Sequence, residues 1–510
     1  MGKRRPSVAT RKLASPHTMT PLTPWEPEVG DLKRYRHFDG PLTLDEIKAF
    51  VRDPAQVARH SFRPLLHFQK KWRRAPRRLR DGSLEKRGVK TRPIRYACRK
   101  DSYVYKHYRE LLSQLYERRL QDLGLQSCVL AYRRIPVSAS TPGCKSNIHF
   151  ADDAFKAISK MGKCCAVAID ISGFFDSLNH ERLKEHWQKL LNVDRLPDDH
   201  FAVFRSVTQY RYVDRDAAFV ALGYSRFEDG VPRYAVDPKN IPTRLCTPAQ
   251  YRDAIVAGGL VKRHTDKFGI PQGTPISDVL ANLFLIDFDV AMQKYAVGRG
   301  GIYMRYCDDI LLILPGDGRA ARSACIFTTG KIKESGTELS INRDKTEVVC
   351  FTGKPDNRCY ALAIKKGTTR KFRKSNNDGI SYLGFRFDGS SVFLRNSTIA
   401  NLRGKIARTC RAVAHQHINR HPGKDIIWLL SHLPIREVEN RFLQVRDFEE
   451  AVEDANEQGK SAFSVMTFWS YVTNAQEVFG GRAAGLLRQL RSVDVQITSH
   501  LRKDVLRIYR

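Results

Sequence analysis

Apolar and polar positions follow three different patterns along this chain, and each marks a different kind of element. Cys164-Cys-Ala-Val-Ala-Ile-Asp-Ile171 is a near-continuous apolar run, the signature of a buried central strand, with Asp170 close to its end. Gly301-Ile-Tyr-Met-Arg-Tyr-Cys-Asp-Asp-Ile-Leu-Leu-Ile-Leu314 reads as a tight hairpin, buried along its arms, with Asp308 and Asp309 at the turn. Ile276, Val279, Leu280, Leu283 and Phe284 recur at helical spacing, so a helix with one buried face follows Thr274-Pro275, a good N-cap and first-turn pair. Just ahead of it, Gly269 and Gly273 flank Pro271-Gln272, a loop in which backbone can come close to a ligand at a helix N-terminus.

Coarser patterning places the remaining elements. From about Leu42 to Asp152 the reading is mostly helical, with a loop or hairpin at Asp81 to Ile94. Ser177 or Asn179 caps a helix that begins near His180. Residues 193 to 266 carry many charges and turn formers, with short strands suggested at Arg211-Tyr-Val213 and Phe219-Val-Ala-Leu222. Three helical stretches close the chain: Thr398 to Arg420 with a basic face, Ile426 to Glu457, and Val465 to Arg507. Residues up to about Pro27 read as a basic, proline-containing tail with little structure.

Carboxylates among apolar strands are costly unless a cation or hydrogen bonds compensate them. A solvated Asp-Asp turn is the ordinary alternative for Asp308 and Asp309, as a strand-end cap is for Asp170. The two sites occur in one chain, however, about one domain's length apart. Adjacent strands of one sheet can place Asp170 and Asp308 side by side, a cluster suited to two divalent ions.

Composition narrows the partners. The formal net charge is +33, which points to polyphosphate partners and steeply salt-dependent binding. The excess is concentrated in Lys70-Lys-Trp-Arg-Arg-Ala-Pro-Arg-Arg-Leu-Arg80, where a solvated face would mix signs. Lys70, Lys71, Arg73, Arg74, Arg77, Arg78, Arg80 and Lys90 are therefore candidate nucleic-acid contacts. Eleven cysteines with no Cys-x-x-Cys argue for buried free thiols in a reducing, cytoplasmic setting and against structural zinc. No apolar run approaches membrane-spanning length, so no membrane partner is expected.

The ordered motifs resemble those of reverse transcriptases. Asp170 with Phe174-Phe175, Pro271-Gln-Gly273 with its helix, and Tyr306-Cys-Asp-Asp309 look like motifs A, B and C. Leu339-Ser-Ile-Asn-Arg-Asp-Lys-Thr346 and Ser381-Tyr-Leu-Gly-Phe385 look like motif D and the primer grip, and Lys90-Thr-Arg-Pro-Ile-Arg95 like the basic fingers motif of the bacterial enzymes. Lys90 to Ile94, Tyr103 to Tyr108, Ala131-Tyr-Arg-Arg134 and Ser146-Asn-Ile148 look most like the defence-associated, antiphage group.

The resemblance implies an α+β right-hand polymerase: a basic tail over 1–30, fingers over 31–154, a split β-α-β palm over 155–390 with an insertion at 193–266, and a helical thumb over 391–510. It implies RNA-directed addition of dNTPs, with an RNA template (a non-coding RNA of the defence system) and a DNA product. Two Mg²⁺ ions, replaceable by Mn²⁺, would be held by Asp170, Asp308 and Asp309, with the Ile171 carbonyl as a further ligand. Because neighbours on a tight turn point differently, Asp309 follows less directly than Asp308 from the pattern, and all three are carried as ligands. Phe175 stands at the steric-gate position, Gln272 at the incoming nucleotide or template, Arg92 and Arg95 at the triphosphate, and Lys345 as an acid toward pyrophosphate. An untemplated or protein-primed DNA synthase, with Tyr509 as a conceivable priming hydroxyl, is the alternative within the same chemistry. An RNA-binding protein with a relic palm and a two-metal nuclease are the others. Intact carboxylates weigh against the relic, and the Phe175 and Gln272 positions against the nuclease.

Overall fold

Cys164–Ile171 does fold as the central strand of the largest sheet, and its two faces are buried in two different cores. The computed structural model describes residues 21–73, 77–78, 84–85, 88–138, 143–353, 359–364, 372–375, 379–443, 467–491 and 493–509. In chain order the strands of the main sheets are β1 (Leu65–Arg73), β2 (Val89–Tyr96), β3 (Lys163–Ser172), β4 (Arg211–Asp214), β5 (Val261–Arg263), β6 (Ile302–Tyr306), β7 (Asp309–Pro315), β8 (Ser340–Ile341), β9 (Glu347–Thr352), β10 (Cys359–Ile364) and β11 (Phe372–Ser375). The large sheet runs β6-β7-β3-β9-β10-β11, with β8 pairing the end of β3. Every pairing in it is antiparallel.

The period of two sorts the side chains of β3 and β7. Cys165, Val167, Ile169 and Ile171 join Ile310, Leu312 and Leu314 in a core shared with the helix Ser277–Phe284. Cys164 and Ala166 join Leu311 and Ile313 in a second core with the helix Asn147–Met161 and the C-terminal helices. Asp170 and Asp309 occupy the positions that continue this second face to the end of the sheet.

A second sheet, ordered β2-β1-β4-β5, corrects the mostly helical expectation for the first part of the chain. The hairpin foreseen at Asp81 to Ile94 is the return half of a longer one, in which Leu84–Glu85 pairs Arg77–Arg78 and β2 pairs β1 antiparallel over Leu66 to Arg73. Pro93 is tolerated because β2 is an edge strand. The segment 193–266 supplies β4, parallel to β1, and β5, so it completes this sheet. Arg211–Asp214 is the short strand anticipated there, whereas Phe219–Leu222 is not: Arg215–Ala221 is a helix, N-capped by Asp214, which buries Ala218 and Phe219.

Three further expectations change at element ends. Residues 21–30 are not a loose tail, because Trp25 is buried under the Lys106 ammonium and Thr23 N–H donates to Gln114 Oε1 at 2.8 Å. The helix after the Gly269–Gly273 loop begins at Ser277 rather than Thr274, whose hydroxyl bonds the Ser277 hydroxyl at 2.6 Å. The stretch from Ile426 breaks into Ile426–Ser431 and Ile435–Phe442 around Pro434, and its remainder to Glu457 lies outside the described residues from 444 onward. Asn179 caps His180–Leu191 as expected, and Asn396–Arg420 forms the first C-terminal helix.

The cysteines are corrected in one place. Cys165 and Cys350 are direct cross-strand partners on β3 and β9, with Cα atoms 4.1 Å apart, and are joined as a disulfide. A sequence separation of 185 hides this pairing until the register is known. Cys98, Cys128, Cys164, Cys246, Cys307 and Cys410 are buried free thiols. Among the described residues no helix is long and apolar enough to cross a membrane.

Burial also fixes an acid sensitivity. His37 and His107 are both pushed down to about 4, chiefly by desolvation, from an ordinary 6.5. Unfolding lets them bind protons at the ordinary value, so the stability tied to their neutral forms is present above pH 6.5 and is lost as pH falls toward 4. Urea midpoints measured between pH 7.5 and 4.5 are expected to fall across that window, and the slope should shrink in His37→Gln.

Candidate active site

The chemistry gathers where β3 and the β6–β7 hairpin end. Tyr306 pairs with Asp309, so Cys307 and Asp308 form a two-residue loop. Cys307 takes φ +59°, a left-handed conformation that such a loop ordinarily assigns to glycine. The loop is tied to β3 by Ile171 N–H donating to the Asp308 carbonyl at 3.1 Å. Asp309 is the direct cross-strand partner of Asp170, so their side chains share one face. Asp308 is the turn residue beside them. The backbone partner of Asp170 is thus Asp309, with Asp308 next to it in the turn, because the hairpin closes at Tyr306–Asp309.

Charge is crowded here. The Asp309 side chain is exposed at the strand end, beside two further carboxylates. Desolvation, then the Asp308 and Asp170 charges, push its carboxyl up to about 6. Asp170 is held by Lys345, whose Nζ donates to both carboxylate oxygens at 2.7 and 2.6 Å. The turn Arg343–Lys345 is set by β8, which pairs Ile341 with Ile171, and by Asn342 N–H donating to the Asp170 carbonyl at 2.8 Å. Lys345 is thus solvent-exposed along its stem while its ammonium is bound to a metal-ligand candidate. Among the described residues no three acidic, histidine or cysteine side chains close around a point by themselves.

On the other side of β3, Phe174 is buried and Phe175 is half-buried, their rings edge-to-face at 5.7 Å. The Phe175 carbonyl accepts from Ile270 N–H at 2.8 Å, which brings the Gly269–Gly273 loop against it. The Gln272 carbonyl accepts from Arg95 N–H at 2.8 Å, joining that loop to β2. Both glycines serve this docking: a Cβ on Gly273 would lie 2.8 Å from the Arg95 carbonyl and one on Gly269 3.0 Å from that of Asp176. The close approach foreseen for a ligand is made first by the protein's own backbone.

The cationic candidates separate. The Arg95 guanidinium lies 5.2 and 5.3 Å from the Tyr210 and Tyr212 rings, with Nε and Nη1 enclosed and without hydrogen-bond partners. Arg92, three residues earlier on β2, falls on the opposite strand face and is exposed. Only Arg95 therefore sits against the Gln272 loop. Lys70 and Lys71 are exposed on β1, Lys70 directly opposite Arg92, and Lys90 is half-buried. Arg73, Arg77 and Arg78 fall on strands but their side chains lie outside the described residues, as do Arg74 and Arg80 altogether.

Sequence reasoning missed the support beneath the loop. Arg305 is fully buried on β6 and clamps Asp289 through Nε and Nη2 at 2.7 and 2.6 Å. Its Nη1 donates to the Cys307 carbonyl and to Asn282 Oδ1, both at 3.1 Å. Tyr303 donates to Asp289 Oδ1 at 2.6 Å, and Asn282 Nδ2 to the Ala131 carbonyl at 2.8 Å. An arginine inside an otherwise apolar strand was the available signal, since such a charge needs a buried partner.

Residues 234–387 match the family model of reverse transcriptase (RNA-dependent DNA polymerase). Over those residues the chain is similar to a reverse transcriptase domain. That match contains Gln272, Asp308, Asp309, Lys345 and Ser381–Phe385, while Asp170 and Phe175 lie before it. Together with the described sheets and helices it makes the fold a mixed α+β, reverse transcriptase-like polymerase fold. No curated protein matches the chain. Among solved structures, the chain is similar to apo telomerase from Candida tropicalis at 12% identity and a TM-score of 0.36, over 88% of this chain and 62% of that one. It therefore spans less than two thirds of that telomerase. Telomerase from Candida albicans in complex with a TWJ fragment of telomeric RNA is similar at 11% identity and 0.36, over 92% and 71%. An insertion-loop deletion mutant of the RNA-dependent RNA polymerase of a human picobirnavirus is similar at 14% and 0.27, over 54% and 41%.

Proposed function

We propose that this chain is an RNA-directed DNA polymerase, which extends a 3′-hydroxyl with deoxynucleotides using two divalent cations. The observation that carries the reading is Asp170 facing Asp309 across antiparallel strands, with Asp308 in the adjoining turn. The donor set fits Mg²⁺, which takes one or two carboxylates and leaves its other positions to water and phosphate oxygens. Desolvation, and after it the Asp308 and Asp170 charges, lift Asp309 to about 6, and a bound divalent cation would offset both by favouring the charged carboxylate. Asp170, Asp308 and Asp309 would hold the ions, with the Ile171 carbonyl beside them. Bound there, the ions supply Lewis-acid chemistry: a more acidic attacking hydroxyl and a neutralised leaving group.

The chain's own residues do the rest. Lys345 holds Asp170 in place before substrate arrives, and on leaving that carboxylate it is placed to give a proton to departing pyrophosphate. The Gln272 loop is locked to both Phe175 and Arg95, so sugar, base and phosphate contacts are set by one piece of backbone. Arg95 keeps its charge over two tyrosines rather than a carboxylate, which leaves it available to a triphosphate. Lys70, Lys71, Lys90 and Arg92 extend a cationic strand pair for the RNA backbone.

Phe175 supports deoxynucleotide selection: Phe174 fills the core, and Phe175 stands half-exposed beside the Gln272 loop. Phe175→Ala is expected to raise ribonucleotide incorporation by about tenfold or more relative to dNTPs. Unchanged discrimination in competition assays removes the gate. The resemblance of Lys90 to Ile94 and Ala131 to Arg134 to the defence-associated enzymes supports antiphage work with a dedicated non-coding RNA.

Purified protein offered each dNTP singly and then all four, with and without RNase treatment, tests the whole reading. RNA-dependent synthesis that needs the full set supports it. Synthesis from one dNTP that survives RNase supports the untemplated alternative, and no synthesis at all rejects both. Sequencing the nucleic acid that co-purifies identifies the template.

A further inference from the structure

We propose that Tyr132 is a substrate-contacting residue of this site, whose ring stacks on the base pair at the primer terminus. The inference rests on the polymerase reading above and adds a nucleic-acid contact from a segment outside the carboxylate strands. Cys128–Leu130 runs parallel to the outer edge of β6, with Arg305 N–H donating to the Cys128 carbonyl at 2.7 Å and Leu130 N–H to the Arg305 carbonyl at 2.9 Å. Continuing that register brings residue 132 level with the Cys307–Asp308 loop. There the Tyr132 hydroxyl donates to Cys307 Sγ at 3.2 Å.

Two features make Tyr132 more than a cover for the thiol. Its backbone stands at φ +65°, a left-handed conformation in which an aromatic side chain is disfavoured and glycine or asparagine is at ease. Cys307, which it touches, is also left-handed at φ +59°. Two strained non-glycine residues in contact beside a carboxylate turn are held there by their surroundings. Asn282 fixes the Ala131 carbonyl, and Arg305 fixes both the Leu130 amide and the Cys307 carbonyl. Secondly, Tyr132 is 43% exposed although its side chain is large and mostly apolar. Among the described residues its one hydrogen bond is the weak O–H···S contact, which does not offset the backbone strain.

The occupant follows from position. Tyr132 touches Cys307, the residue immediately before Asp308, so its exposed ring stands beside the carboxylate turn. The strand end delivered to Asp308 has to pass it. Stacking on an aromatic face is indifferent to sequence, as an enzyme copying any template requires.

The positive φ supplies a clean test, because glycine relieves the strain while removing the ring. Tyr132→Gly is expected to keep or raise the thermal midpoint while raising KM for primer–template by about tenfold, with KM for dNTP within about twofold. Tyr132→Phe, which keeps the ring and loses only the contact to Cys307, should stay within about twofold of wild type in both. If Tyr132→Gly is destabilised and both constants worsen together, or if its primer–template KM is unchanged, the inference is overturned. Failure of the wild-type protein to extend any primer would reject the polymerase reading instead.

Discussion

Asp308→Ala is expected to abolish dNTP incorporation, a loss on the order of 10³-fold or more, while affinity for RNA stays close to that of the wild type. The expectation follows from how little protein surrounds the proposed ions. Three carboxylates on two paired strands are the proposed ligands, so each would carry a large share of the binding. Asp170 is already engaged with Lys345, and Asp309 is raised to about 6. Asp308 sits in a turn anchored through its carbonyl to Ile171, so its side chain can be removed without unpairing the strands. RNA contacts, by contrast, are assigned to β1 and β2. Primer extension and filter binding on the same preparation separate the two effects. Full activity in the variant removes the metal assignment, and loss of RNA affinity as well points to a damaged fold.

The same arrangement shows what a sequence can disclose. The central strand was legible because Cys164 to Ile169 are apolar on both faces, and the hairpin because its arms are apolar and its turn is not. Proximity of the carboxylates was legible as a possibility of two adjacent strands. Which aspartate meets Asp170 was not, since one residue of register decides it and hairpin closure at Tyr306–Asp309 sets that register.

The β1 half of the β1–β2 hairpin escapes the pattern because its outer part is a run of lysine and arginine that masks strand alternation. Its third and fourth strands come from more than 100 residues downstream, at Arg211–Asp214 and Val261–Arg263. Phe219–Leu222 has strand-like composition, yet the Asp214 side chain caps a helix just before it and wins. The cysteine pair and the Arg305–Asp289 clamp stayed hidden for one shared reason: each joins residues whose neighbours say nothing about the other.

That clamp carries the second large effect. Asp289→Ala is expected to cost about 3–5 kcal/mol of stability, because it leaves the Arg305 guanidinium buried with no counter-charge. Both partners are fully enclosed, so no water compensates. Replacing the whole group with apolar residues, Asp289→Leu with Arg305→Met and Tyr303→Phe, should restore most of that loss, as apolar substitutes for buried ion pairs often do. Activity is expected not to return with it. Arg305 Nη1 is the donor that meets the Cys307 carbonyl, and Cys307 is the residue held at positive φ immediately before Asp308. Without that donor the loop can relax toward ordinary backbone conformations, and the carboxylates lose their fixed relation to Asp170. Urea midpoints and single-turnover incorporation measured on the single and triple variants distinguish the outcomes. Recovery of stability without activity identifies the clamp as what positions the turn, whereas recovery of both means that the β6–β7 pairing alone suffices.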